Sequence, residues 1–114
     1  MIRTIELNIG LNIGDKPAHR LADITNAVLF YFQDLTSLQA RVTHRPEGEE
    51  NAAIIRFTVP ALGNSVDSIK SRIEDLSTTL RQEAIAARIQ GEGYLLGEQA
   101  ANCGTFDPAQ FEAF

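Results

Sequence analysis

Residues Ile5, Leu7, Ile9, Leu11 and Ile13 are apolar, while Glu6, Asn8, Gly10 and Asn12 between them are not. Successive side chains of a strand point to opposite faces, so this alternation predicts a strand with one buried face. Gly14-Asp15-Lys16-Pro17 then predicts the end of that strand and the start of a helix, with Asp15 or a neighbour as cap and Pro17 in the first turn. Leu21, Ile24, Val28, Phe32 and Leu35 follow at helical spacing and predict one buried stripe, with Phe30 and Tyr31 off it. Leu38, Ala40, Val42 and His44 alternate again, and Pro46-Glu47-Gly48-Glu49-Glu50-Asn51 is a polar turn. Ala53, Ile55, Phe57 and Val59 form the inward face of a returning strand that Pro60 stops. Asn64 or Ser65 caps a second helix whose stripe is Val66, Ile69, Ile73, Leu76 and Leu80, with Asp67, Lys70, Glu74 and Arg81 largely solvated. Helical propensity could carry this helix through 84–89, but Ile85, Ala87 and Ile89 alternate and Gly91-Glu92-Gly93 is hairpin-like. We therefore expect a strand at 84–90 and a short strand at 93–97.

In order, these elements spell βαββαβ, the ferredoxin-like α+β pattern, with two helices on one face of an antiparallel sheet and an extra C-terminal hairpin strand. The 114 residues suit a single domain, 1–114, able to bury a core without disulfides or metal. Phe106, Phe111 and Phe114 predict that the 98–114 tail packs on that domain. No apolar run approaches the roughly 20 residues that span a bilayer. The first residues lack a signal-peptide profile, and one cysteine, Cys103, allows no internal disulfide, so a cytoplasmic protein is expected. A net charge of −5 disfavours nucleic acid as a partner, because neutralising phosphates needs clustered Lys and Arg. An acidic balance suits a basic partner surface instead.

This fold hosts many unrelated activities, so function must come from particular residues. Its open sheet face is predicted to carry Glu6, Asn8, Asn12, Gln39, Arg41, Thr43, Arg45, Arg56, Thr58 and Arg88. These make either a solvated face with cross-strand ion pairs or a polar binding surface anchored by Arg41 and Arg56. Ile54 on the same face implies that part of it is covered, by the Phe-bearing tail or by a second subunit. Asn8-Ile9-Gly10 and Asn12-Ile13-Gly14 repeat a short pattern, and the second copy is expected to lead into a helix N-terminus, where anions can bind. Lys16 and His19 lie close by. Neither a P-loop nor a dinucleotide fingerprint is present. His19, His44 and Cys103 fall short of a metal cluster or a Cys–His nucleophile, so neither metal nor cofactor is expected. Glu49-Glu50 and Glu74-Asp75 have no apolar flanks that would raise a pKa. An acylphosphatase would need an Arg in the loop after the first strand, where this chain has Lys16. An RNA-recognition domain would need aromatics where Ile54 and Arg56 stand.

The segments Leu80-Arg81-Gln82-Glu83-Ala84-Ile85-Ala86, Gly91-Glu92-Gly93-Tyr94-Leu95-Leu96-Gly97 and Gly104-Thr105-Phe106-Asp107-Pro108, with Phe111, resemble small accessory proteins of bacteriophages and other mobile elements. The resemblance covers the C-terminal third, contains no catalytic motif, and places Cys103 where an aromatic usually stands. It implies a non-enzymatic binding protein that inhibits a bacterial defence, for example of CRISPR type, or another host protein, by occupying a site on it. Glu6, Asn8, Asn12, Arg41, Arg56, Phe30 and Tyr31 are then the expected contacts with that protein partner. The alternative is a small-ligand protein that binds or sequesters a nucleotide-like anion at Asn12, Gly14, Lys16 and His19. An enzyme is disfavoured for want of a nucleophile–base pair, and exposed sheet edges predict a homodimer.

Overall fold

The computed structural model describes residues 1–43 and 51–111; His44, Arg45, residues 46–50 and Phe114 lie outside them. Its elements are β1 (Ile2–Gly10), β2 (Asn12–Ile13), β3 (Lys16–Pro17), α1 (Leu21–Tyr31), β4 (Thr36–Val42), β5 (Ala52–Pro60), α2 (Val66–Thr79), β6 (Ile85–Ile89) and β7 (Glu92–Leu96). Two short 3-10 turns, Ala100–Asn102 and Pro108–Phe111, follow. The main sheet runs β4-β5-β1-β6-β7 with all neighbours antiparallel. Each half of the chain contributes strand, helix, strand, and a strand of the other half lies between its two strands. This is the ferredoxin-like α+β arrangement expected from the pattern. Among the described residues, no helix is long and apolar enough to cross a membrane.

The predicted stripes form the core. Ile5, Leu7 and Ile9 of β1, Ile55, Phe57 and Val59 of β5, and Ile85 and Ala87 of β6 are fully buried beneath Ile24, Val28 and Phe32 on one side and Ile69, Ile73 and Leu76 on the other. Each large aliphatic or aromatic side chain so placed contributes about 1.5–3 kcal/mol relative to exposure. Ser65 caps α2, its hydroxyl accepting from the Ser68 N–H at 3.1 Å. Neighbouring Asn64 is buried and ties the helix ends together: its amide donates to Asp34 Oδ2 at 2.9 Å and to the Pro60 carbonyl at 2.8 Å, and its Oδ1 accepts from Arg72. The expected strand pair over 84–97 is present as β6 and β7. Its turn is Gln90-Gly91, both with positive φ (52° and 85°), the two-residue geometry whose twist matches a hairpin.

Two boundaries differ from the sequence expectation. β1 ends at Gly10 rather than running to residue 13. There the chain bends, and the Leu11 carbonyl accepts from the Ala18 and His19 N–H groups at 3.0 and 2.8 Å. Ile13 pairs with Lys16, so Gly14 (φ 62°) and Asp15 form the turn of a small hairpin instead of a helix start. α1 therefore begins at Leu21, and the backbone N–H of Arg20 before it donates to Asp23 Oδ2 at 2.9 Å. The anion-binding helix end expected at 12–17 is absent because those residues close a hairpin.

Candidate functional site

The sheet face away from the helices has two ends with different chemistry. At one, Glu6 stands between Arg56 and Arg88, which face it from the strands on either side. Arg88 donates from Nε to Glu6 Oε1 at 2.8 Å and from Nη2 to Oε2 at 2.9 Å, and Arg56 reaches Oε2 at 3.0 Å. Burial alone would raise the Glu6 carboxyl, but hydrogen bonds and charge from Arg88 and Arg56 outweigh it and hold the group below its ordinary value. The C-terminal segment covers this end. Phe106 and Phe111 stack with ring centroids 5.6 Å apart, and Phe111 is buried with its ring 5.1 Å from the Arg88 guanidinium. Gly93 has no side chain because the Phe106 ring occupies that space: a Cβ there would lie 2.2 Å from it. The face is thus partly closed, with Glu6 only 7% exposed and Ile54 fully buried.

At the other end is a cavity of about 350 Å³. Ala52, Ala86 and Leu95 contribute apolar side chains to a mostly polar lining, Asn8 and Gly10 belong to β1, and Asn12 and Gly14 come from the small hairpin. Residues 81–84 and Cys103 complete it. The 81–84 loop is held by a specific helix ending. The Arg81 N–H donates to the Thr78 carbonyl at 3.1 Å and the Gln82 N–H to the Ser77 carbonyl at 2.9 Å, the Schellman pattern. Its left-handed position, normally glycine, is Arg81 with φ 55°, a conformation costing a non-glycine residue roughly 1 kcal/mol or more. The Gln82 amide then donates to the Asn12 carbonyl at 2.7 Å, fastening loop to hairpin. Gly97 (φ 149°) lies so close to this loop that a Cβ would be 2.6 Å from the Glu83 carbonyl. The same carbonyl accepts from the Gln99 N–H at 3.1 Å.

Arg81 and Glu83 are the two charged residues of the cavity lining. Cys103 Sγ lies 3.9 Å from Glu83 Oε2 and 3.2 Å from the Gln99 carbonyl. Burial, and then the Glu83 carboxylate, push the Cys103 thiol up, so it is protonated at neutral pH and a poor nucleophile. The cavity therefore offers amides, one acid and one guanidinium for orienting a substrate that carries its own leaving group.

The residues expected to bind a partner do not form one surface. Glu6 and Arg56 are engaged with each other, Asn8 and Asn12 line the cavity, and Arg41 is exposed on β4. Phe30 is 68% exposed on α1, on the helix side, with Tyr31 edge-on to it at 5.2 Å and Tyr31 Oη 2.5 Å from Thr79 Oγ1. Of the four expected ligand residues, Asn12 and Gly14 line the cavity. Lys16 is exposed on β3, and His19 Nε2 is bonded to the Leu80 carbonyl at 2.7 Å. Arg81, Gln82 and Glu83 were not expected there. Their one sequence signal is the Gln82-Glu83-Ala84-Ile85-Ala86 stretch, which belongs to the resembling segments but carries no recognisable chemistry.

No protein-family model matches the chain, and no curated protein matches it significantly. Among solved structures it is similar to a phage SAM lyase in complex with S-methyl-5'-thioadenosine, with a TM-score of 0.59 and 20% identity over 83% of this chain and 88% of that one. It is also similar to a phage SAM lyase in the apo state, with a TM-score of 0.53 and 18% identity over 82% and 87%. At such identities the likeness shows a shared fold. Both neighbours are enzymes, and one holds a small nucleoside. That finding overturns the expectation of a non-enzymatic protein inhibiting a bacterial defence or host protein.

Proposed function

We propose that the chain is a lyase acting on S-adenosylmethionine, or a closely related adenosyl sulfonium, and releasing S-methyl-5'-thioadenosine. The observation that carries this reading is the cavity walled by Ala52, Ala86 and Leu95, with Asn8, Asn12 and Glu83 around it, in a fold shared with a lyase holding that thioadenosine. Its volume lies at the low end of the roughly 300–1,000 Å³ of small-molecule sites, a size suited to a nucleoside. In this assignment the apolar walls contact the adenine, the Asn8 and Asn12 amides meet its polar edge and the ribose hydroxyls, and the Glu83 carboxylate faces the sulfonium.

The chemistry asks little of a nucleophile. A sulfonium leaves as a neutral thioether: the electron pair of the bond from sulfur to the methionine chain moves onto sulfur. As it does, either the substrate's own carboxylate oxygen bonds to that same carbon and closes a lactone, or the Glu83 carboxylate takes a proton from the neighbouring carbon as the double bond forms. A site that orients the substrate, excludes water and holds the Glu83 carboxylate within reach as a base supplies what such a step needs. The phage origin of both neighbours supports an accessory role in a mobile element, acting on a cytoplasmic metabolite.

The test is incubation of the purified chain with S-adenosylmethionine, followed by mass spectrometry. Accumulation of S-methyl-5'-thioadenosine is expected, and the partner product distinguishes lactone from unsaturated amino acid. An unchanged substrate after complete incubation contradicts the reading.

A further inference from the structure

A second hollow, of about 200 Å³, lies against the first. The two share Arg81, Gln82 and Glu83 as a common rim, and Thr78, Glu98 and Gln99 line the rest of the smaller one. Ala52, Ala84, Ala86 and Leu95 stand only in the larger, whereas every residue lining the smaller has a polar or charged side chain, Arg81 and the acids Glu83 and Glu98 among them. At this rim Arg81 is left-handed, as Ser37 and Gln90 are elsewhere, and Gly97 presses against Glu83 where no side chain fits, so the three shared residues are held in fixed places.

We propose that the smaller hollow is the subsite for a zwitterionic α-amino acid group. It receives the methionine end of the substrate, with Glu98 taking the ammonium and Arg81 the carboxylate; the proposal rests on the lyase reading of the larger cavity. An adenosyl sulfonium has an apolar-faced nucleoside at one end and an ammonium and a carboxylate at the other. The paired hollows repeat that order, and the sulfur joining the two ends falls at the rim beside Glu83. An acid and a guanidinium together match an amino acid's two charges, and neither alone would distinguish it from a simple anion or cation.

The experiment compares two ligands by calorimetry on the full chain. S-adenosylhomocysteine has the amino-acid end but no sulfonium to cleave, and S-methyl-5'-thioadenosine lacks that end. Glu98→Gln is expected to weaken S-adenosylhomocysteine about tenfold, the effect of losing one charge-assisted hydrogen bond, and to leave S-methyl-5'-thioadenosine within about twofold. Glu98→Lys should weaken S-adenosylhomocysteine further, again sparing S-methyl-5'-thioadenosine. Glu98 is exposed, so melting temperatures should match the parent and exclude misfolding as the cause. Equal effects on both ligands, or none on either, overturn the subsite while leaving the lyase reading standing. Failure of the parent protein to bind either ligand overturns both.

Discussion

The two ends of the sheet face opposite the helices use polar residues in opposite ways. At the Glu6 end, three charged side chains satisfy one another and two phenylalanines close over them. At the cavity end, Asn8, Asn12, Arg81 and Glu83 surround a space that no described side chain fills. Polar groups packed against each other contribute structure; those lining a hollow are, in the lyase reading, also within reach of a ligand that enters it. The same strand supplies both, since Glu6 and Asn8 are two residues apart on one face of β1.

That contrast can be broken from either side. The largest effect is expected at Glu83: Glu83→Gln should lower kcat for S-adenosylmethionine cleavage by about 10²–10³-fold, the usual consequence of removing a positioned base. Its melting temperature should barely move, because the side chain is exposed. Glu6→Ala should do the reverse, leaving Arg56 and Arg88 side by side without their carboxylate at a cost of about 2 kcal/mol in a urea melt.

Acid should sharpen that result. The Glu6 carboxyl binds its proton less tightly in the folded protein than at its ordinary value of 4.5, so the unfolded chain takes up more protons as pH falls. Its stabilising contribution is complete above that value and disappears as pH drops through the lower folded value. Glu6→Gln should flatten this part of the stability curve. Gly93→Ala displaces the Phe106 ring and is expected to cost about 1 kcal/mol by overpacking, with faster proteolysis of the C-terminal segment as its readout. A stability effect of opposite sign belongs to Arg81→Gly. Relief of the left-handed strain should add up to about 1 kcal/mol while weakening substrate binding.

The helix-side core was legible because its signal is periodic: Ile69, Ile73 and Leu76 repeat at helical spacing, and Ile5, Leu7 and Ile9 at strand spacing, in any context. Ser65 as a cap and the β6–β7 pair were legible for similarly local reasons. The start of α1 was not, because Pro17 fits a hairpin as readily as a first helical turn. Hydrogen bonds to the Leu11 carbonyl, made by residues seven and eight positions later, decide between the two.

Part of the cavity could be seen from sequence. Asn12 and Gly14 stood out as a short pattern, although the helix end proposed for them is a hairpin. Arg81 and Glu83 were hidden because the helix ends on an arginine where a glycine would have marked the turn. Lys16 and His19 were chosen for closeness in sequence to Asn12, yet one points to solvent on β3 and the other is spent on the Leu80 carbonyl. Ile54 did announce that the open face is covered. The phenylalanines of the tail lie more than fifty residues away, so only tertiary packing shows that they close part of that face.

The most direct test of the account is where S-methyl-5'-thioadenosine binds, followed by amide NMR on the full chain. Shifts concentrated at Asn8, Asn12, Glu83 and Ala86, with Glu6, Arg56 and Phe111 unmoved, are the predicted result. Shifts centred on the Glu6 end or on the exposed Phe30 of α1, or no shifts at saturating ligand, would contradict it.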